Sequence, residues 1–265
     1  MPPTPAEIPP MANHVEADRL ANPTPIWKSI WGGFGTTIGV LDTVVFALPA
    51  AITARLGFHK TCSAISRLWA WIIIRACGIK VEIAGLENLR GLKSYILVAN
   101  HQSFFDIFAI LAYMPGDTRF VAKKELMQIP VVGYAMRHNG HVIVDRQGGG
   151  RSIRRALEAA REGNYPICVF AEGHRHNDGH VHQFNEGAAW IATMAKLPCV
   201  PMAISGSGAF FPREAKVPIP GGRMRMTLLP PIMPVEPGER SKSGDRETLT
   251  RKLEDAVRSA FVAEL

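Results

Sequence analysis

Residues 96–110 read ILVANHQSFFDIFAI. An apolar run with the composition of a buried strand ends at Ala99 and delivers His101, and Asp106 follows among aromatic and aliphatic neighbours. Imidazole and carboxylate together make a general base and the group that orients it. On one regular helix, five residues turn the chain so that the two side chains point about 140° apart. They meet only if His101 precedes a helix and Asp106 lies in its first turn. Ser103 is a good N-cap and Asp106 stands three residues beyond it, which predicts that arrangement. The same Ser-x-x-Asp spacing is a capping box, which alone accounts for a carboxylate at Asp106.

Two further strand ends carry chemistry. VIVDRQ places Asp145 and Arg146 after an apolar run, and VFAEGHRHNDG places Glu172, Gly173, His174 and Arg175 after another. In open α/β sheets, ligands bind at the carboxyl ends of strands. Guanidinium forks match phosphate oxygens, and a glycine lets backbone approach a ligand closely. Three such ends together make a base beside an anion site. The histidine run offers a reading of another class. His174, His176, His180 and His182, with Asp178 among them, could gather around zinc as in a metal-dependent hydrolase. They show no regular ligand spacing, so the expectation is no metal.

The elements that must position these residues follow from periodicity. Strands are expected at 81–83, 95–99, 119–121, 142–144, 167–170, 200–204 and 224–229. Helices are expected at 104–113, 131–137, 150–162 and 186–196, with a last one at 245–265 docking at the sheet edge. Strands alternating with helices of this length predict an α/β fold, a mixed, mostly parallel sheet flanked by helices. Residues 1–25 are proline-rich, lack periodicity and read as a disordered leader. From Ile30 to Ala54 the sole charged residue is Asp42, and a second apolar segment covers 63–79. Together, 26–79 reads as a helical hairpin lying in one leaflet, with Arg67 and Arg75 at the headgroups. The expected organisation is therefore leader 1–25, membrane-associated hairpin 26–79 and α/β domain 80–265.

With 265 residues the chain can bury a full core, and its net charge of +7 suits an anionic partner. The basic residues form no strip interleaved with aromatics, so nucleic acid is not expected. Cys62, Cys77, Cys168 and Cys199 are widely spaced, which fits a reducing compartment. The polar, proline-rich start does not read as a cleavable signal.

In order, these fragments resemble the glycerolipid acyltransferase family of the 1-acylglycerol-3-phosphate type. Its Asn-His-x-x-x-x-Asp block is matched by Asn100, His101 and Asp106, and its Lys-x-Glu-Leu segment by Lys123, Glu125 and Leu126. The block ending in Asp-Arg is matched by Asp145 and Arg146. Phe-Pro-Glu-Gly-Thr-Arg appears as Phe170, Ala171, Glu172, Gly173, His174 and Arg175, so Ala171 and His174 depart from the pattern. A final Val-Pro-x-Ala block is matched by Val200, Pro201, Met202 and Ala203.

The resemblance implies transfer of a fatty acyl group from an acyl thioester, either acyl-CoA or acyl-carrier protein, to a lysophospholipid hydroxyl. The expected acceptor is 1-acylglycerol-3-phosphate, giving phosphatidic acid, with glycerol-3-phosphate, another lysophospholipid or a lyso-ornithine lipid as alternatives. It implies His101 as base, Asp106 as its orienter, and Lys123, Arg146, Glu172, Gly173, His174 and Arg175 around the acceptor phosphate. No cofactor is expected beyond the thioester co-substrate. The expected location is a phospholipid membrane, at the cytoplasmic face of the inner (plasma) membrane.

Overall fold

A computed structural model describes residues 25–128, 131–144, 158, 162–163, 165–176, 178–211, 217–234, 244–263 and 265. Seven strands emerge where alternation and β-branched runs place them. They are β1 (Ile79–Ala84), β2 (Ile96–Ala99), β3 (Arg119–Lys123), β4 (Val142–Val144), β5 (Ile167–Phe170), β6 (Cys199–Ser205) and β7 (Gly222–Leu228). They form one sheet in the order β1-β7-β6-β2-β5-β3-β4. Among these neighbours β6 and β7 pair antiparallel, and every other pair is parallel. Thus β2, β3, β4, β5 and β6 all end at the same end of the sheet, which is where the chemistry-bearing residues were expected.

The central strands are apolar on both faces because both faces are covered. Leu97 and Ala99 of β2 join Val200, Met202 and Ile204 of β6 in one core. That core is covered by the helices α2 (His59–Ala76) and α3 (Phe104–Tyr113). Ile96 and Val98 join Cys199 and Ala203 in the opposite core. There they meet α5 (Gly187–Ala195) and α6 (Asp245–Ala260). The last helix does not dock at the sheet edge, because Leu249, Leu253 and Val257 pack over interior strands. It ends at Ala260, where the Val262 amide turns away to donate to Ser205 Oγ at 3.0 Å. The helix expected at 150–162 falls almost wholly outside the described residues.

The apolar N-terminal segments form α1 (Ile26–Arg55) and α2, which meet through a turn containing Gly57. They pack on each other, on α3, and on α4 (Val132–His138). Gly32 explains part of the glycine-rich start of α1: a Cβ there would lie 2.2 Å from the Pro218 carbonyl oxygen. Trp31 Nε1 donates to the Ala76 carbonyl at 3.0 Å, and Trp69 Nε1 to Thr43 Oγ1 at 3.0 Å. Buried Arg119, at the start of β3, pairs with Asp117 at 2.5 Å and reaches Ser63 of α2 at 3.1 Å. The outer face of α1 leaves Ile26, Ile30, Phe34, Leu41, Val45, Leu48 and Ile52 exposed.

Arg67 is not a headgroup arginine. Its guanidinium donates to the carbonyls of Ala112 (3.0 Å), Met114 (2.8 Å) and Gly116 (3.0 Å). Carbonyls at the end of α3 and in the turn after it lack helical partners, so a three-pronged donor from α2 satisfies them and fixes the hairpin to α3. Arg67→Ala is expected to lower stability by about 2 kcal/mol, since hydrogen bonds to charged groups are worth more than neutral ones. Urea unfolding of the two proteins in the same detergent checks this.

Candidate active site

His101 and Asp106 meet as their spacing requires. β2 ends at Ala99, His101 lies in the connection, and Asp106 sits at the third position of α3, fully buried. His101 Nδ1 and Asp106 Oδ2 are 2.8 Å apart. The same oxygen accepts the amides of Gln102 and Ser103, each at 2.8 Å. Ser103 caps the helix in return, accepting from the Phe105 amide at 3.4 Å. The capping box and the functional pair are therefore one structure, and the first does not exclude the second. A proton on Nδ1 donated to Asp106 leaves Nε2 with the free lone pair.

Three further contacts fix the segment that carries the imidazole. Asn100, fully buried, uses its side-chain amide as a strand rung, donating to the Ile204 carbonyl at 2.9 Å and accepting the Ile204 amide at 2.8 Å. Phe170 stacks on the His101 ring at 3.8 Å and 13°. The His101 carbonyl accepts the His176 amide at 2.9 Å. Sequence patterning could not show the first two roles, because both depend on which strands flank β2.

The segment after β5 brings Glu172, Gly173, His174 and Arg175 to the same place. Gly173 adopts φ 79°, a left-handed turn that carries the chain across the mouth of the site. The Arg175 guanidinium lies 3.8 Å above the Phe104 ring, a cation–π contact at the start of α3. Glu172 is buried, and its two oxygens accept backbone amides of His101 (3.4 Å) and His182 (3.2 Å). It thereby spans the β2 and β5 connections. Lys123 closes β3 at the same end of the sheet. Asp145 and Arg146 follow β4 and lie outside the described residues. The departures at Ala171 and His174 have visible consequences. The Ala171 amide donates to the Ala99 carbonyl at 3.0 Å, a rung that a proline could not make. His174 is exposed and stacks obliquely on His176 at 4.1 Å.

Behind the pair lies a cavity of about 710 Å³. His101, Phe104, Phe170, Gly173, His174 and Arg175 line it, and so do Phe46, Ala50, Ile65, Trp69, Leu126 and Met136 from the hairpin and the α3–α4 layer. Its wall is overwhelmingly apolar. His141, part of that wall, is pushed down to a pKa of about 3 by burial, with Arg119 adding to the effect, so it is neutral under ordinary conditions.

The Acyltransferase family matches residues 80–205. Those residues thus carry an acyltransferase domain. Sheep 1-acyl-sn-glycerol-3-phosphate acyltransferase alpha is 28% identical over 225 residues, which covers 84% of this chain and 76% of the relative. The chloroplastic 1-acyl-sn-glycerol-3-phosphate acyltransferase BAT2 of Brassica napus is 33% identical over 172 residues, 63% of this chain and 49% of the relative. The crystal structure of the 1-acyl-sn-glycerophosphate (LPA) acyltransferase PlsC from Thermotoga maritima superposes with a TM-score of 0.71 at 26% identity. That match covers 88% of this chain and 93% of the other. The fold of this acyltransferase is thus the one its sequence implies, sheet and apolar N-terminal helix included.

Burial raises the Glu172 pKa to about 8, and this outweighs the two amide donors that favour its charged form. The folded acyltransferase therefore binds a proton at Glu172 that the unfolded chain releases above a pKa of 4.5. The associated stability is complete below about pH 4.5 and is lost as pH rises through about 8. The thermal midpoint should fall across that window in the wild type, and Glu172→Gln should remove that component of the slope. Thermal unfolding at a series of pH values checks it.

Proposed function

We propose that the enzyme transfers a fatty acyl group from an acyl thioester, acyl-CoA or acyl-carrier protein, to the free hydroxyl of 1-acylglycerol-3-phosphate, giving phosphatidic acid. One observation carries this reading: an imidazole held at Nδ1 by a buried carboxylate 2.8 Å away lines an apolar cavity of about 710 Å³. An alcohol is too weak an acid to attack as a free alkoxide at neutral pH, so its proton must leave as attack proceeds. His101 Nε2 takes that proton while the hydroxyl oxygen bonds to the thioester carbonyl carbon. The C–S bond then breaks, and the departing thiolate recovers the proton from the imidazolium. Asp106 keeps the tautomer and stabilises the imidazolium, as the carboxylate does in a serine hydrolase, but with the substrate as nucleophile.

The acyl chain occupies the apolar cavity. The acceptor phosphate lies at the mouth, met by Arg175 and His174, by the turn at Gly173, and by Lys123 and Arg146. Glu172 positions that turn through the His101 and His182 amides. The sheep and Brassica napus relatives support the acceptor, since both are named 1-acyl-sn-glycerol-3-phosphate acyltransferases. No cofactor enters this scheme. The hairpin lies in the cytoplasmic leaflet of the inner (plasma) membrane, its exposed stripe among acyl chains and the net charge of +7 facing anionic headgroups. α1 is also long and apolar enough to cross a bilayer by length and composition.

Purified protein given a labelled acyl thioester and a panel of acceptors tests the reaction directly. His101→Ala should stay folded and lose about 10²- to 10⁴-fold of its turnover. Turnover at a third of the wild-type level or more would end the assignment. Arg175→Ala should raise the acceptor KM by about 30-fold or more, the equivalent of a lost charged partner. Arg175→Lys should recover part of that loss, because it restores charge without the fork. A change confined to the donor KM would contradict the phosphate site. For the membrane, Ile30→Asp with Val45→Asp should abolish flotation with anionic vesicles while leaving the sheet folded. Flotation that persists would place the anchor elsewhere.

A further inference from the structure

We propose that His176, Asp178 and His182 form a zinc-binding site on the loop that follows β5, distinct from the His101–Asp106 pair. One ligand atom from each residue lies within 4.8 Å of the others. Two imidazole nitrogens and a carboxylate oxygen are ordinary donors for Zn²⁺, and three protein ligands leave a fourth position for water. The spacing of i, i+2 and i+6 matches no finger or helical pattern, so the sequence offered the histidine run without showing which of its members converge.

The loop holds these donors in place. Asp178 Oδ1 accepts the His180 amide at 3.2 Å, which turns Oδ2 toward His182 Nε2, 2.6 Å away. The His176 and His182 rings stack at 3.6 Å and 15°. Both histidines are anchored through their backbones, His176 to the His101 carbonyl at 2.9 Å and His182 to Glu172 at 3.2 Å. Buried Val181 and Phe184 fix the chain on either side of His182. The three side chains themselves are partly or fully exposed, which leaves an entry path for the ion.

A tetrahedral ion with bonds of about 2.0–2.1 Å sets its ligand atoms roughly 3.3 Å apart. Asp178 and His182 must therefore open slightly as the ion replaces the proton between them. The stacked rings must splay so that both lone pairs face the metal. Both movements are side-chain rotations on the solvent side of the loop. The ion's role is to stiffen this loop. It would tie His176, which holds the His101 carbonyl, to His182, which holds Glu172. His174 stacks on His176 and lines the cavity, so the loop's order reaches the mouth of the active site.

The test uses untagged full-length protein in detergent, stripped with EDTA and titrated with zinc sulfate against a chromophoric chelator. The wild type should bind a single equivalent. Its thermal midpoint should rise by about 5 °C when free zinc is a hundredfold above Kd. His176→Ala with His182→Ala should weaken binding at least about tenfold and remove the shift, and His180→Ala should retain both. If the double variant fails to fold without metal, Asp178→Asn takes its place, with the same loss expected. The proposal is overturned if the wild type does not bind zinc. It is also overturned if the ligand variants bind as the wild type does, or if His180→Ala loses binding as they do. None of these readouts involves acyl transfer, so they stand or fall separately from the reaction proposed above.

Discussion

A single carboxylate oxygen organises the junction between β2 and α3. Asp106 Oδ2 receives the His101 ring and the amides of Gln102 and Ser103, all at 2.8 Å. It is buried at the start of α3, where the amides of the first turn lack helical partners. The electrostatics that begin the helix thereby also orient the imidazole. Remove the carboxylate, and two backbone amides and a ring nitrogen lose their acceptor at a fully buried position. The strand–helix junction and the orientation of His101 therefore depend on the same atom, and the rest of the fold must deliver that junction intact.

Delivery falls to the parallel part of the sheet and to the helical hairpin. β2 sits between β6 and β5, so its end is tied to β6 through Asn100 and to the β5 connection through Glu172 and the His176 amide. On the other side, Arg67 of α2 satisfies the final carbonyls of α3. α3 is thus held at its start by Asp106 and at its finish by the hairpin. The hairpin in turn walls the cavity and keeps an apolar stripe on its outer face. One pair of helices therefore closes the site and presents a lipid-compatible surface, which brings the site close to any membrane that the stripe enters.

Much of this was legible in the residues. The seven strands follow from short apolar runs ended by turn residues, and the His101–Asp106 meeting follows from helix geometry together with Ser103 as N-cap. The parts that were not legible depend on the order of strands across the sheet. Asn100 reads as a motif residue until β6 is known to lie alongside it. Arg67 reads as an interfacial arginine until the end of α3 is found beneath it. The final helix reads as an edge element because its amphipathic pattern says that one face is buried, but not against which strands. Glu172 was expected among arginines, whereas the structure gives it two backbone amides, a distinction that no side-chain pattern encodes. The histidine loop lacked a recognisable spacing because its ligands converge through a turn, not along a helix.

The orientation of His101 by Asp106, with the proton on Nδ1 and Nε2 as the acceptor, has a direct readout. Long-range ¹H–¹⁵N correlation spectra of protein labelled at histidine distinguish the two neutral tautomers. The His101 signals are identified by their loss in His101→Ala. An Nδ1–H tautomer is expected in the wild type, with that preference lost in Asp106→Ala. An Nε2–H tautomer in the wild type, or a preference unchanged without Asp106, would contradict it.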